Sequence, residues 1–95
     1  MTLTRERVRR YLALTRKGLK KAKIASPERS HYRKVAEDFY GMAEAYYKDA
    51  VAFYEKGELV NAFACVNYAH GWLDAGARLG LFDVGGDDRL FTLTD

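Results

Sequence analysis

Two interruptions decide what this chain can become. Ser26-Pro27 and Gly57 divide its 95 residues into three stretches, and in each stretch apolar residues recur at the period of an α-helix. In the first, residues 4–25, Val8, Tyr11, Leu12, Thr15, Leu19 and Ala22 share one side at about 100° per residue. Arg5, Arg9, Arg10, Arg16, Lys17, Lys20, Lys21 and Lys23 cover the rest. The pattern predicts an amphipathic helix with an almost purely basic polar face, capped by Thr2 or Thr4.

Proline pushes Ser26 out of the α region and so ends the first helix. The same pair can open the second, with Ser26 as N-cap, Pro27 in the first turn and Glu28 beside the helix's positive end. This helix is predicted over residues 27–56. Its stripe is Tyr32, Val35, Phe39, Met42, Tyr46, Ala50 and Phe53, and the steps of three and four from Val35 to Tyr46 are the seam spacing of packed helices. Gly57 suits the C′ position.

The third helix is predicted over residues 58–79, with Gly80 as its stop. One side carries Leu59, Ala62, Phe63, Val66, Ala69, Leu73 and Ala77; the other carries Ala64, Cys65, Tyr68, Trp72, Ala75 and Leu79. Only the narrow stripe Asn67, His70, Asp74 and Arg78 is polar. A helix apolar nearly all round is buried nearly all round, and two neighbours do not cover both sides. A second subunit is therefore expected on Tyr68, Trp72, Ala75 and Leu79. The plain alternative is a scatter of exposed aromatics without a role.

Short connections favour antiparallel neighbours, which makes the fold an all-α, up-down-up three-helix bundle. Residues 1–84 form its single domain. Residues 85–95 open with Gly-Gly-Asp-Asp and read as a mobile tail, in which Leu90, Phe91 and Leu93 remain able to dock. A chain this short buries a limited core, and oligomerisation is one supplement. Phe53, Gly57, Ala62 and Ala69 are spaced like one tetratricopeptide hairpin. Such repeats need about three copies to be stable, so the pattern reads as a tight antiparallel hairpin.

The net charge of +3 is unevenly placed. Residues 1–25 hold nine basic residues against one acidic, while residues 58–95 hold two against six. Arg5, Arg9, Arg16, Lys17, Lys20 and Lys23 thus form a candidate patch for RNA phosphates or for an acidic protein partner. The bland reading is a solvated face. No zinc-finger spacing, RNP pattern or GxxG clamp accompanies it.

For chemistry, the Asn67, His70, Asp74 and Arg78 ladder is the best candidate, since Asp74 could orient His70 as a base or ligand. The stronger reading is the one solvent-facing strip of a mostly buried helix, and next a structural polar network between helices. Glu28 and His31 spell one E-x-x-H pair where di-iron bundles need two, with two further carboxylates. Cys65 has no metal-binding spacing and reads as a small buried hydrophobe. No cofactor and no catalytic residue is assigned. A lone cysteine, no apolar segment behind the arginines of residues 1–10, and no run of about 18 apolar residues lead to the expectation of a cytoplasmic protein away from membranes.

The stretch Tyr47-Lys-Asp-Ala-Val-Ala-Phe-Tyr-Glu-Lys-Gly57, followed by residues 61–84, resembles the small archaeal proteins of domain-of-unknown-function family 357. Tyr68-Ala69, Leu73-Asp74-Ala75-Gly76 and Arg78-Leu79-Gly80-Leu81 are the most specific part. The resemblance implies a short helical protein of archaeal cytoplasm and transfers no catalytic residue. It also implies that Asp74 and Gly76 matter to the fold. Gly71 and Gly76 each cost about 1 kcal/mol inside a helix, and close helix approach across an interface would be a reason to keep them. The expectation from all these features is a non-enzymatic interaction or adaptor module that forms a homodimer, with RNA binding through the first helix as the alternative.

Overall fold

The computed structural model describes residues 2–25 and 30–86. Three helices, α1 (Arg5–Lys21), α2 (His31–Glu55) and α3 (Leu59–Arg78), are joined by two short strands, β1 (Lys23–Ile24) and β2 (Phe82–Asp83). The helices pack as the expected up-down-up bundle, and α2 and α3 share the most extensive interface.

Each helix begins and ends for a local reason. Thr4 caps α1, its hydroxyl accepting from the Arg7 amide at 3.1 Å. Glu6 in the first turn and Lys20 and Lys21 in the last oppose the helix dipole. Ser30 caps α2 in the same way, accepting from the Arg33 amide at 3.0 Å. At the far end of α2, Gly57 takes φ +80°. Its amide reaches the Tyr54 carbonyl and that of Glu58 reaches Phe53, the paired bonds of a Schellman motif. Gly80, at φ +76°, repeats the arrangement after α3, with its own amide on Ala77 and that of Leu81 on Gly76.

Three expectations need correction. First, α1 stops at Lys21, not residue 25, because the chain finds other backbone partners. Lys23 pairs with Asp83 and Ile24 with Phe82 in an antiparallel ladder, and the Ala25 amide donates to the Leu81 carbonyl at 3.0 Å. Second, α2 starts at His31, where Ser30 supplies the cap; Ser26, Pro27 and Glu28 lie outside the described residues, as do Leu90, Phe91 and Leu93. Third, the innermost seam of α2 is Ala36, Ala43 and Ala50, each fully buried and seven residues apart. The larger Val35 and Phe39 pack beside that seam, and Tyr32 is 69% exposed. Small side chains let the helix backbones approach, which moves the bulky residues to the flanks. The outer end of the core was also missed: Leu81, Phe82 and Val84 are all buried.

The core has two parts. Val8, Leu12, Ala50, Ala62 and Val66 fill one end. Leu19, Ala22, Ala36, Ala43, Leu73, Leu81, Phe82 and Val84 fill the other. Tyr47 packs against both, and Thr15, only 2% exposed, is the buried polar residue of α1.

Tyr40 of α2 holds the end of α1. Its hydroxyl donates to the Leu19 carbonyl at 2.7 Å, one of the carbonyls that the last helical turn leaves open. Burial, with the charge of Glu44 adding, raises its pKa above the ordinary 10.0. The folded protein therefore keeps this proton at a pH where the unfolded chain has released it. Stability from this group is complete below about pH 10 and falls as pH rises through the raised value. Tyr40→Phe is expected to cost about 1 kcal/mol and to reduce the alkaline loss, read from urea midpoints at neutral pH and near pH 10.5. Identical midpoints for the two proteins would show that the bond contributes nothing.

Candidate functional site

The third helix has more apolar surface than its neighbours cover. Ala62, Val66, Ala69, Leu73 and Gly76 are buried against α1 and α2. Its exposed positions are Val60, Asn61, Ala64, Asn67, Tyr68, Gly71 and Arg78, so from Val60 to Gly71 no exposed residue of α3 bears a charge. On α1, by contrast, most exposed positions are charged.

Two depressions flank this face and share Asn67 and Gly71. One, of about 420 Å³, is lined by Asn67, Tyr68, Gly71, Trp72 and Ala75. Residues of α2 support it from below. Tyr46 stacks on Tyr68 with ring centroids 5.0 Å apart, and Phe39 meets Trp72 edge-on at 5.0 Å. These contacts fix both aromatic side chains while leaving Tyr68 62% exposed. Trp72 and Ala75 are half-buried, and Leu79, one turn further on, is 66% exposed. The structure thus brings Tyr68, Trp72 and Ala75 into one groove, with Leu79 beyond its end.

The second depression, of about 260 Å³, lies between α1 and α3. It is lined by Tyr11, Leu14, Thr15, Asn67, His70, Gly71 and Asp74. Here the Thr15 hydroxyl lies 3.0 Å from Nδ1 of His70, and Nε2 of His70 lies 3.8 Å from the Asp74 carboxylate. His70 and Asp74 are about a quarter exposed, whereas Asn67 and Arg78 are open to solvent. The ladder therefore divides: its middle joins α3 to α1, and its ends do not. A hydroxyl, an imidazole and a carboxylate in a row invite comparison with a nucleophilic triad, but Thr15 is only 2% exposed and its hydroxyl is engaged with the His70 ring. The Thr15–His70 contact is a hydrogen bond between α1 and α3.

The remaining candidates are dispersed. Cys65 is half-buried, and burial, with Asp49 adding, raises its pKa above the ordinary 9.0, which opposes thiolate chemistry. His31 is exposed against Tyr32; its sequence partner Glu28 is outside the described residues. Among the described residues, no group of three His, Cys, Asp or Glu is placed to hold a metal ion. No helix among them is long and apolar enough to cross a membrane. In the basic patch, Arg16, Lys17, Lys20 and Lys23 are exposed. Arg5 and Arg9 are exposed too but are engaged by α2: the Arg5 guanidinium sits 4.4 Å from the centre of the Tyr54 ring, and Nε of Arg9 donates to the Tyr54 hydroxyl at 3.0 Å.

The family model described as "Protein of unknown function (DUF357)" matches residues 10–82, from within α1 to the first residue of β2. The chain belongs to the DUF357 family. Among curated proteins and among solved structures, no significant match is found. The ring of Phe82 packs where a Cβ on Gly76 would otherwise stand, 2.6 Å from its Cδ2 and 2.9 Å from its Cζ. The close approach that explains Gly76 is thus made within one chain, by the residue that follows the α3 turn, and not by a partner helix. Gly71 differs: a Cβ there would meet nothing within 4 Å, so the interior of this DUF357 chain does not require it.

Proposed function

We propose that this DUF357 protein is a non-enzymatic helical interaction module that self-associates through the outer face of α3. The observation that carries the reading is the run of exposed, uncharged positions from Val60 to Gly71 beside a groove walled by Tyr68 and Trp72. Depletion of charge with retention of aromatic residues marks the centres of protein interfaces. A neutral face can also meet its own copy without repulsion, as a two-fold contact requires. The basic face of α1 lacks that property. Gly71 adds a second support, since a helix interior keeps glycine at a cost of about 1 kcal/mol, and an exposed glycine lets a second helix come close.

Light scattering across a range of protein concentrations tests this. The expected result is twice the mass of one chain at micromolar concentration. Tyr68→Glu is expected to return the single-chain mass with unchanged helical circular dichroism, because Tyr68 is mostly exposed and its loss leaves the core intact. Gly71→Ala should weaken association while raising the stability of the isolated chain by about 0.5–1 kcal/mol. A single-chain mass at every concentration, or a Tyr68→Glu dimer as tight as the parent, would remove α3 as the contact.

A further inference from the structure

The basic face of α1 uses different residues and stands or falls separately. Arg10, Arg16, Lys17, Lys20 and Lys23 are exposed, and their side chains make no ion pair with any described residue. Glu6 is the only acidic residue on the helix. Arg16 and Lys20 stand one turn apart along one row, and Arg10 and Lys17 lie two turns apart along the next. From Arg10 to Lys20 these rows run about 15 Å along the helix. One strand of a duplex places a phosphate about every 3.4 Å of axis, so roughly four phosphates lie within reach of that length, and Lys23 of β1 adds a cation beyond the helix end.

Three kinds of anionic surface could meet such a face, and the structure distinguishes them. A membrane-surface helix must bury its apolar side in lipid, but Val8, Leu12 and Leu19 of α1 are at most 8% exposed and fill the core. A protein partner is gripped by aromatic or apolar anchors; Leu14, at 38%, is the exposed large hydrophobic of α1. Leu14 stands alone among the charges, between Arg10 and Lys17, and a face dominated by charge suits a polyphosphate whose binding is driven by release of counterions. We propose that α1 and the strand after it bind the phosphodiester backbone of nucleic acid, without reading base sequence, through Arg10, Arg16, Lys17 and Lys20 of the helix and Lys23 of β1. Arg5 and Arg9 hold the helix on Tyr54 and act as positioning residues.

The test is fluorescence anisotropy of the full chain with labelled oligouridine RNA and a DNA duplex, at about 50 and about 200 mM salt. Five phosphate contacts predict affinity lower at the higher salt by roughly a hundredfold for the single strand and several hundredfold for the duplex. The triple variant Arg16→Gln, Lys17→Gln, Lys20→Gln is expected to lower the log–log salt slope by about two for the single strand and about three for the duplex. A variant of equal net charge, Lys34→Gln, Lys48→Gln, Lys56→Gln, which removes exposed lysines of α2 and the residue that ends it, should bind as the parent does. Binding of either oligonucleotide in this pattern supports the proposal, and the tighter one names the sugar. No binding at the lower salt, or equal losses in the two triple variants, overturns it. Competition by polyglutamate as strong as that by RNA would also overturn it, in favour of an acidic protein.

Discussion

Replacing Gly76 with alanine is expected to destabilise the protein by about 1–3 kcal/mol, although alanine favours a helix interior over glycine by about 1 kcal/mol. The reversal follows from the Phe82 ring, which occupies the space a methyl group would need. Phe82 is buried, meets the Tyr40 ring edge-on at 6.1 Å and pairs through its backbone with Ile24, so it cannot retreat without loosening all three helices. Phe82→Ala alone is expected to cost about 3–5 kcal/mol. The double variant should then cost less than the sum of the two by at least about 1 kcal/mol, because the new methyl enters the space the ring has left. Urea denaturation of the four proteins measures this coupling. Additive losses would mean that Gly76 acts through something other than Phe82.

Leu73→Ala is expected to have a comparable effect, about 2–5 kcal/mol. Leu73 is the largest of the fully buried side chains and belongs to the cluster that joins α1, α2 and the segment after α3. Its neighbours in that cluster include Ala36 and Ala43, which have no side-chain atoms beyond Cβ to move into the cavity. For that reason the loss should fall in the upper half of the range. A shift of the thermal midpoint corresponding to under about 1 kcal/mol would show that the helices close over the gap.

The sequence and the structure agree most closely where one face of a helix is buried and the other is not. On α1, Val8, Leu12, Thr15, Leu19 and Ala22 were legible from their period alone, because arginine and lysine cover the remaining positions. Gly57 and Gly80 were legible as helix stops, since each occupies the left-handed conformation that glycine accepts without strain. The seam of α2 was less legible. Its bulky residues form a regular stripe that includes Ala50, whereas Ala36 and Ala43 look neutral in any scale of hydrophobicity; only the distance between helix axes selects them. The pairing of Lys23–Ile24 with Phe82–Asp83 is a contact between segments far apart in sequence, and two-residue strands leave no periodic mark. Leu81, Phe82 and Val84 nonetheless carried a signal, three large apolar residues directly after a glycine stop.

At the candidate site, the division of α3 into two apolar sides was legible, and the groove at Tyr68 and Trp72 lies on the predicted side. The support of that groove by Tyr46 and Phe39 was not, because which residues of α2 lie beneath α3 depends on the rotation of the hairpin. The polar ladder shows the same dependence. Spacing alone places Asn67, His70, Asp74 and Arg78 in one line, yet the hydroxyl of Thr15 engages only His70, and this depends on where α1 docks.

The ladder between β1 and β2 has a kinetic consequence. Contacts between α2 and α3 span a tight turn and can form early, whereas those of α1 with α3 close a long loop. The strand after α3 returns to the end of α1 and carries Phe82 into the angle between the helices, so α1 is retained by contacts made at both ends of the chain's order. The first helix is therefore the natural unit of partial opening. In hydrogen exchange it would be the segment to exchange by a route cheaper than global unfolding, with the hairpin left standing, and the basic face would travel with it.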